Sequence, residues 1–232
     1  WSLSVLVDGR IEETLAIVDR FNQTHEDGTG EHKHAHNAVV DTLEIKVQTP
    51  ETIELATDLL PEELYPFFEV PPDGDFRGFA TALAGTGNGA KLRTGGVLAE
   101  TFPPAERIAD FLLAMHAADV PFKCTAGLHH PVRSMQPMTY EPGCASTTMH
   151  GFLNVFVGAV LLHALEIKRD TLLSVLTETK PDAFRFMDDG LYWRELKATT
   201  PAVAAARENF AICFGSCSFD DPINDLKKLG WL

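Results

Sequence analysis

The sequence predicts an α/β fold of the (β/α) barrel-like kind, incomplete or irregular, with six to seven strands, helices outside and a polar lumen. Three observations predict it. Short strands alternate with helices of about ten residues from Ser2 to Leu128, the rhythm of a parallel sheet with right-handed crossovers. Strand side chains alternate between faces, and in four successive strands one face is apolar while the other carries charge. Five clear strands, with one or two more between Phe184 and Trp193, are too few for the eight of a complete barrel.

The elements follow in order. Ser2 to Val7 reads as a strand and Ile11 to Phe21 as an amphipathic helix, followed by a polar loop from Asn22 to Asn37. Strand Val39 to Val47 leads to Thr49-Pro50-Glu51, which opens a helix with Thr as N-cap and Pro in first position. Strand Tyr65 to Val70 is joined by a Pro/Asp/Gly turn to helix Phe76 to Ala84. The glycines at 85, 87 and 89 end that helix before strand Ala90 to Thr94. Pro103-Pro104 starts a helix to Ala118, and Pro121 to Leu128 is the fifth strand.

Beyond it the rhythm loosens. Pro131 to Thr148 reads as a long loop and a candidate lid. A buried helix spans about Met149 to Leu165, and a shorter one Thr171 to Thr179. Phe184 to Met187 and Leu191 to Trp193 form a hairpin or one bulged strand, and Thr200-Pro201 opens a last helix to about Phe214. The tail from Gly215 to Leu232 is expected to pack on the surface through Phe219, Ile223, Leu226, Leu229 and Trp231. No composition break divides the chain, so residues 1 to 232 are read as one domain.

Parity then locates a site. Leu43, Ile45 and Val47 oppose Thr42, Glu44 and Lys46; Phe68 and Val70 oppose Phe67 and Glu69. Lys91 and Arg93 oppose Ala90 and Leu92, and Lys123, Thr125, Gly127 and His129 oppose Phe122, Cys124, Ala126 and Leu128. A doubly wound sheet, covered on both faces, would be apolar on both, so the charged face points to a lumen. An open α/β sheet and an antiparallel sheet with one wet face remain the alternatives.

A buried cation without a partner costs several kcal/mol, so Lys46, Lys91, Arg93 and Lys123 call for Glu44 and Glu69, with Asp8 a third candidate. One reading is an ion-pair network that fills the lumen. The other is a pocket for a small anionic molecule, because these four cations outnumber Glu44 and Glu69. Thr94-Gly95-Gly96 after the fourth strand, and Gly127 after the fifth, would let backbone N–H groups approach a phosphate or carboxylate.

A lysine buried among cations favours the neutral amine that attacks a carbonyl. The segments KCTAG, from Lys123, and KLRTGG, from Lys91, resemble the strand-borne lysine segments of class I, Schiff-base aldolases of the deoxyribose-phosphate type. The likeness covers about a dozen residues, in the opposite chain order, and is one of chemistry. It implies Lys123 as nucleophile, Lys91 as the cation beside it and Glu69 as general acid/base. Barrels of the phosphoribosyltransferase kind also combine internal Lys, Arg and Glu, without a Schiff base.

Histidines give the alternative chemistry. His129, on the face of Lys123, could act as acid/base, or with His150 and a carboxylate bind a divalent metal such as zinc in a lyase or hydrolase. His25, His32, His34 and His36 fall in a polar stretch where solvent exposure is the expected state, though such a tract can bind metal adventitiously. Otherwise no cofactor is expected.

A formal charge of −14 argues against nucleic-acid binding. The longest apolar run, Gly151 to Leu165, is too short for a membrane span, and His163 interrupts it. Cys124, Cys144, Cys213 and Cys217 show no disulfide pattern, which suits a cytoplasmic or other reducing compartment, an organelle lumen included if a segment ahead of Trp1 was removed. Cys213 and Cys217 are expected on one helix face. A barrel short of strands also suits a non-catalytic binding or assembly role, as a homo-oligomer or with a protein partner.

Overall fold

Six parallel strands pair in the order in which the chain makes them: β1 (Ser2–Leu6), β2 (Val39–Lys46), β3 (Tyr65–Val70), β4 (Gly89–Arg93), β5 (Phe122–Thr125) and β11 (Ala211–Gly215). The structure is a computed structural model and describes residues 1–26 and 38–232. Right-handed crossovers with no reversal of strand order put every connecting helix on one side of the sheet. The sheet is therefore covered on its convex face and curls into a half-barrel, an incomplete barrel-like α/β fold. β1 pairs only with β2 and β11 only with β5, so among the described residues both edges stay open.

The convex face carries the apolar half of each alternation. Leu43, Phe68, Ala90, Leu92, Phe122 and Cys124 are all fully buried. They join one cluster with Phe76, Phe79 and Leu83 of α3 (Phe76–Leu83) and Ile108, Phe111 and Leu112 of α4 (Ala105–Ala117). At about 25 cal/mol per Å² of apolar area removed from water, this face carries the larger share of the sheet's stabilisation. Asp75 starts α3 by accepting a hydrogen bond from the Arg77 N–H. The other helices on this side are α1 (Ile11–Glu26) and α2 (Glu51–Thr57). In α2 the cap position is Pro50, already helical, and Thr49 contributes its carbonyl where a capping hydroxyl was expected.

Between β5 and β11 the chain inserts a second cluster. β6 (Ser134–Pro137) and β7 (Ser146–Met149) form an antiparallel hairpin inside the stretch read from sequence as an unstructured loop. α5 (Phe152–Leu165) follows, then α6 (Arg169–Leu176). β8 (Phe184–Met187), β9 (Gly190–Trp193) and β10 (Leu196–Thr199) make a three-stranded antiparallel sheet, and α7 (Thr200–Asn209) leads into β11. Of the two readings of Phe184 to Trp193, the hairpin is the one found, but it belongs to this small sheet and supplies no strand to the half-barrel.

α5 lacks a polar face because both cores use it. Phe152, Val155, Ala159 and Leu162 enter the sheet cluster, while Val157, Val160 and Leu161 pack with Phe184, Leu191 and Trp193. Asn154, buried within this apolar helix, accepts from the Arg133 N–H and donates to the carbonyls of Val175 and Glu178, fixing two loops to it.

Two expectations are corrected at the C-terminal end. The helix opened by Thr200-Pro201 stops at Asn209, and Ala211–Gly215, of which all but Gly215 was assigned to that helix from sequence, is the sixth strand of the sheet. Cys213 is thus a strand residue and Cys217 follows the strand, so the two do not share a helix face. The tail forms α8 (Asp220–Lys228), with Leu226 and Trp231 packed inward, but Phe219 is exposed and Ile223 largely so.

Candidate functional site

Strand register stacks the charged face in ranks. Lys46, Glu69, Lys91, Lys123 and Cys213 are successive partners across β2, β3, β4, β5 and β11. One rank nearer the strands' carboxyl ends stand Arg93, Thr125 and Gly215. One rank nearer their amino ends stand Glu44, Phe67 and Gly89. Gly89 is required there: a Cβ would meet the Phe67 ring at 2.5 Å, so its absence lets that ring lie across β4 beneath Lys91.

Glu44 reaches up from its rank and bridges two lysines. Its Oε1 accepts from Lys123 Nζ at 2.6 Å, its Oε2 pairs with Lys91 Nζ, and Lys91 also meets Glu69 Oε2 at 2.5 Å. β2 and β5 are separated by two strands, about 14 Å on a flat sheet, so this contact depends on the curl. Lys91 is 2% exposed and Lys123 6%. Burial pushes the Glu44 carboxyl up, but hydrogen bonds and charge from Lys123 and Lys91 outweigh it and hold it down at about 2. Lys91, Lys123, Glu44 and Glu69, predicted from parity to face one another, are in contact.

The two lysines differ in access. Lys91 is enclosed by both carboxylates. Lys123 has one carboxylate partner, lies 5.1 Å from the centre of the Phe67 ring, and lines a cavity of about 550 Å³. Ser4, Thr42, Tyr65 and Cys213 line the same cavity, with Asp41, Glu63 and Glu208 also on its walls. These residues lie at or before the lysine rank, so the cavity occupies the amino-terminal half of the concave face. Burial, and then Cys213, raises the Tyr65 phenol to about 12, and burial raises the Cys213 thiol, so both present O–H and S–H groups at neutral pH.

The predicted binding residues at the carboxyl ends are placed differently from one another. Lys46 and Arg93 are exposed and make no ion pair or side-chain hydrogen bond with a described residue. Hydration satisfies them, so they call for no internal carboxylate, contrary to the sequence argument that counted them as buried. Thr125, the partner of Arg93, has a buried hydroxyl with no hydrogen-bond partner among the described residues. Thr94 is fully buried and its hydroxyl donates to the Ala126 carbonyl at 2.6 Å. A Cβ on Gly95 would sit 2.8 Å from Gly127 Cα, and Gly127 has φ of +74°. These two glycines let the ends of β4 and β5 touch backbone to backbone under the Phe102 ring. Gly96 packs on Thr101 in the same way.

His129 does not join the lysine network. β5 ends at Thr125, and Ala126 and Gly127 both take positive φ, so the alternation that placed His129 beside Lys123 is broken. Its Nδ1 lies 3.0 Å from Ser216 Oγ and its Nε2 3.6 Å from Cys217 Sγ. His130 pairs with Asp225 at 2.6 Å. His150 is buried, with Nε2 bonded to the Pro103 carbonyl at 2.7 Å and Nδ1 facing Arg133. The structure thus gives His129 and His150 separate partners, and among the described residues no group of three or more His, Cys, Asp or Glu is placed to hold a metal ion. His25 ends α1 and stacks on Phe21, whereas His32, His34 and His36 lie outside the described residues. Asp8, the third proposed partner for the cations, is exposed and pairs with none of them.

Compared with protein-family models, with curated proteins and with solved structures, the chain matches none. No helix among the described residues is long and apolar enough to cross a membrane. Sequence reasoning missed Tyr65 and Cys213 as cavity residues and Cys217 as the neighbour of His129. Cys213 was hidden by the helix assignment of its strand and Cys217 by the helix face expected to carry both, while the parity that placed Phe67 already put Tyr65 on the inner face.

Proposed function

We propose that this chain is a barrel-type enzyme that takes a small anionic carbonyl compound on its concave face, with Lys123 as the amine nucleophile. The observation that carries the proposal is the unequal state of the four cations. Lys91 is sealed by two carboxylates, Lys123 keeps one carboxylate and borders a cavity, and Lys46 and Arg93 stand uncompensated at the carboxyl-terminal rim. In this reading Arg93, Lys46 and the unpartnered Thr125 hydroxyl hold the carboxylate or phosphate, and the carbonyl faces Lys123. Asp41, Glu63 and Glu208, on the walls of the cavity at Lys123, turn the anionic group of the substrate away from it and toward Arg93 and Lys46.

Glu44 supplies the proton chemistry. The Lys123 ammonium must lose a proton before its nitrogen attacks; Glu44 Oε1, at 2.6 Å, is the acceptor in contact with it and relays the proton to water, because a carboxyl held at about 2 does not retain it. Attack forms a carbinolamine; expulsion of its hydroxyl as water, with a proton relayed back through Glu44, leaves the protonated imine. Lys91 keeps the carboxylate in place from its other oxygen.

The test is borohydride trapping with small aldehydes and ketones, with and without a carboxylate or phosphate, read by peptide mass spectrometry. The expected result is an adduct on Lys123 that is absent in Lys123→Arg, with anionic members trapped faster and that preference lost in Arg93→Ala. Absence of any Lys123 adduct across the series ends the amine reading. A second reading has its own support: two lysines and two glutamates balance within the network, as in a structural ion cluster.

A further inference from the structure

Where β5 and β11 end, the chain brings together a thiol and an imidazole that the lysine site does not use. Cys217 is exposed, with Sγ 3.6 Å from His129 Nε2 and 3.8 Å from Nδ1. The partners of Ser216 assign the tautomer of His129. Its hydroxyl hydrogen goes to the Ser218 carbonyl at 2.8 Å, so toward His129 Nδ1, at 3.0 Å, Ser216 Oγ is an acceptor. With Nδ1 carrying the ring proton, Nε2 is the basic nitrogen; Sγ, nearly equidistant from the two, lies beside the ring, and a turn of the exposed Cys217 side chain is what brings the thiol onto the Nε2 lone pair. Burial, and then the neighbouring His130, lower the His129 pKa against the opposing charge of Asp221, so the ring is a neutral base at pH 7.

We propose that Cys217 and His129 form a second, thiol-based nucleophile site that accepts activated acyl groups from small thioesters or esters. The arrangement has the three roles such a site needs: a nucleophile, a base within reach of it, and a third group that fixes the base. The thiol proton passes to His129 Nε2 as Sγ bonds to the acyl carbon. The bond from that carbon to its alkoxide or thiolate leaving group breaks, and the leaving group takes the proton from Nε2. The product is an S-acyl Cys217, with no oxidant or metal called for.

Two features frame the thiol. Tyr140 donates to Asp221 at 2.5 Å, which holds the β6–β7 loop against the start of α8 beside Cys217. His130 is held by Asp225, itself paired with Lys228, so the imidazole next to His129 is tied back and leaves Nε2 free for the thiol. The site is separate from Lys123, so failure of either leaves the other standing.

The experiment is acetylation of the full chain by p-nitrophenyl acetate, following p-nitrophenolate release and locating the acetyl group by peptide mass spectrometry. Cys217 is expected to acetylate at least about tenfold faster than N-acetylcysteine at pH 7, because a positioned base removes its proton. His129→Gln is expected to slow it about a hundredfold, the usual scale for loss of a general base. Ser216→Ala, which leaves the imidazole and removes only its orienting group, is expected to give an intermediate rate with unchanged circular dichroism. A Cys217 rate equal to that of the free thiol overturns the proposal, as does an unchanged rate in folded His129→Gln or Ser216→Ala protein.

Discussion

Lys46 and Lys91 are both register partners of Glu69, one on each side of it, yet they occupy opposite states. Lys91, in the middle of the concave face, is 2% exposed and held by Glu69 and Glu44; Lys46, the last residue of β2 at the rim, is exposed and held by neither. The same residue type in the same rank is thus structural in one place and available in the other. Position across the sheet and the number of carboxylates within reach decide which, because water compensates an exposed cation near the edge at no cost to the fold, whereas a buried one requires protein partners.

Lys91→Met is expected to have the largest effect. It leaves Glu69 buried without a cation, and loss of one partner from a buried pair costs about 3–5 kcal/mol. Urea denaturation at pH 7 measures it. Adding Glu69→Gln to Lys91→Met is expected to recover most of the loss, because the uncompensated charge is gone. A cost below about 1 kcal/mol, the range of exposed pairs, would mean that water reaches this network.

A smaller effect comes from acid. The Glu44 carboxyl has an ordinary value of 4.5 and is held at about 2 in the folded chain. A depressed folded value means that its contribution is complete above pH 4.5 and is lost as the pH falls toward 2. With part of the side chain exposed to solvent, the contribution is about 2 kcal/mol. Thermal melts across this window are expected to show a shallower acid slope for Glu44→Gln than for the wild type. Equal slopes would remove Glu44 from the acid response.

Legibility from sequence followed the same division. Alternation in β2, β3, β4 and β5 placed Glu44, Glu69, Lys91 and Lys123 on one face, and burial of Leu43, Phe68, Leu92 and Phe122 on the other made that reading hold. Parity gives the face but neither the rank nor the distance from the sheet's edge, so Arg93, one rank further out, and Lys46, near the edge, were counted with the buried cations. It also fails beyond a strand end: positive φ at Ala126 and Gly127 turned His129 away from Lys123 and toward Cys217. The strand Ala211–Gly215 was lost because its apolar residues continue the pattern of α7 without a Gly or Pro to mark the break. Asn154 and Glu178 had no local signal at all, since their value lies in partners distant in sequence.

The smallest expected effect is the one that carries the most functional weight. Lys46→Met is expected to change stability by no more than about 0.5 kcal/mol, the scale of a surface substitution, although the same change at Lys91 costs several times more. It loses no ion pair, and Glu69 keeps its contact with Lys91. Stability alone cannot therefore account for a cation at this position. If Lys46 serves an anion, its loss appears in binding: inorganic phosphate, titrated calorimetrically at low ionic strength, should bind Lys46→Met and Arg93→Ala more weakly than the wild type, with the fold intact. Salt should weaken wild-type binding too, because these charges are exposed to screening. A destabilisation of Lys46→Met equal to that of Lys91→Met would place Lys46 inside the network after all. Unaltered phosphate binding would leave the rim cations as plain surface charge and take the anionic group out of the proposed substrate.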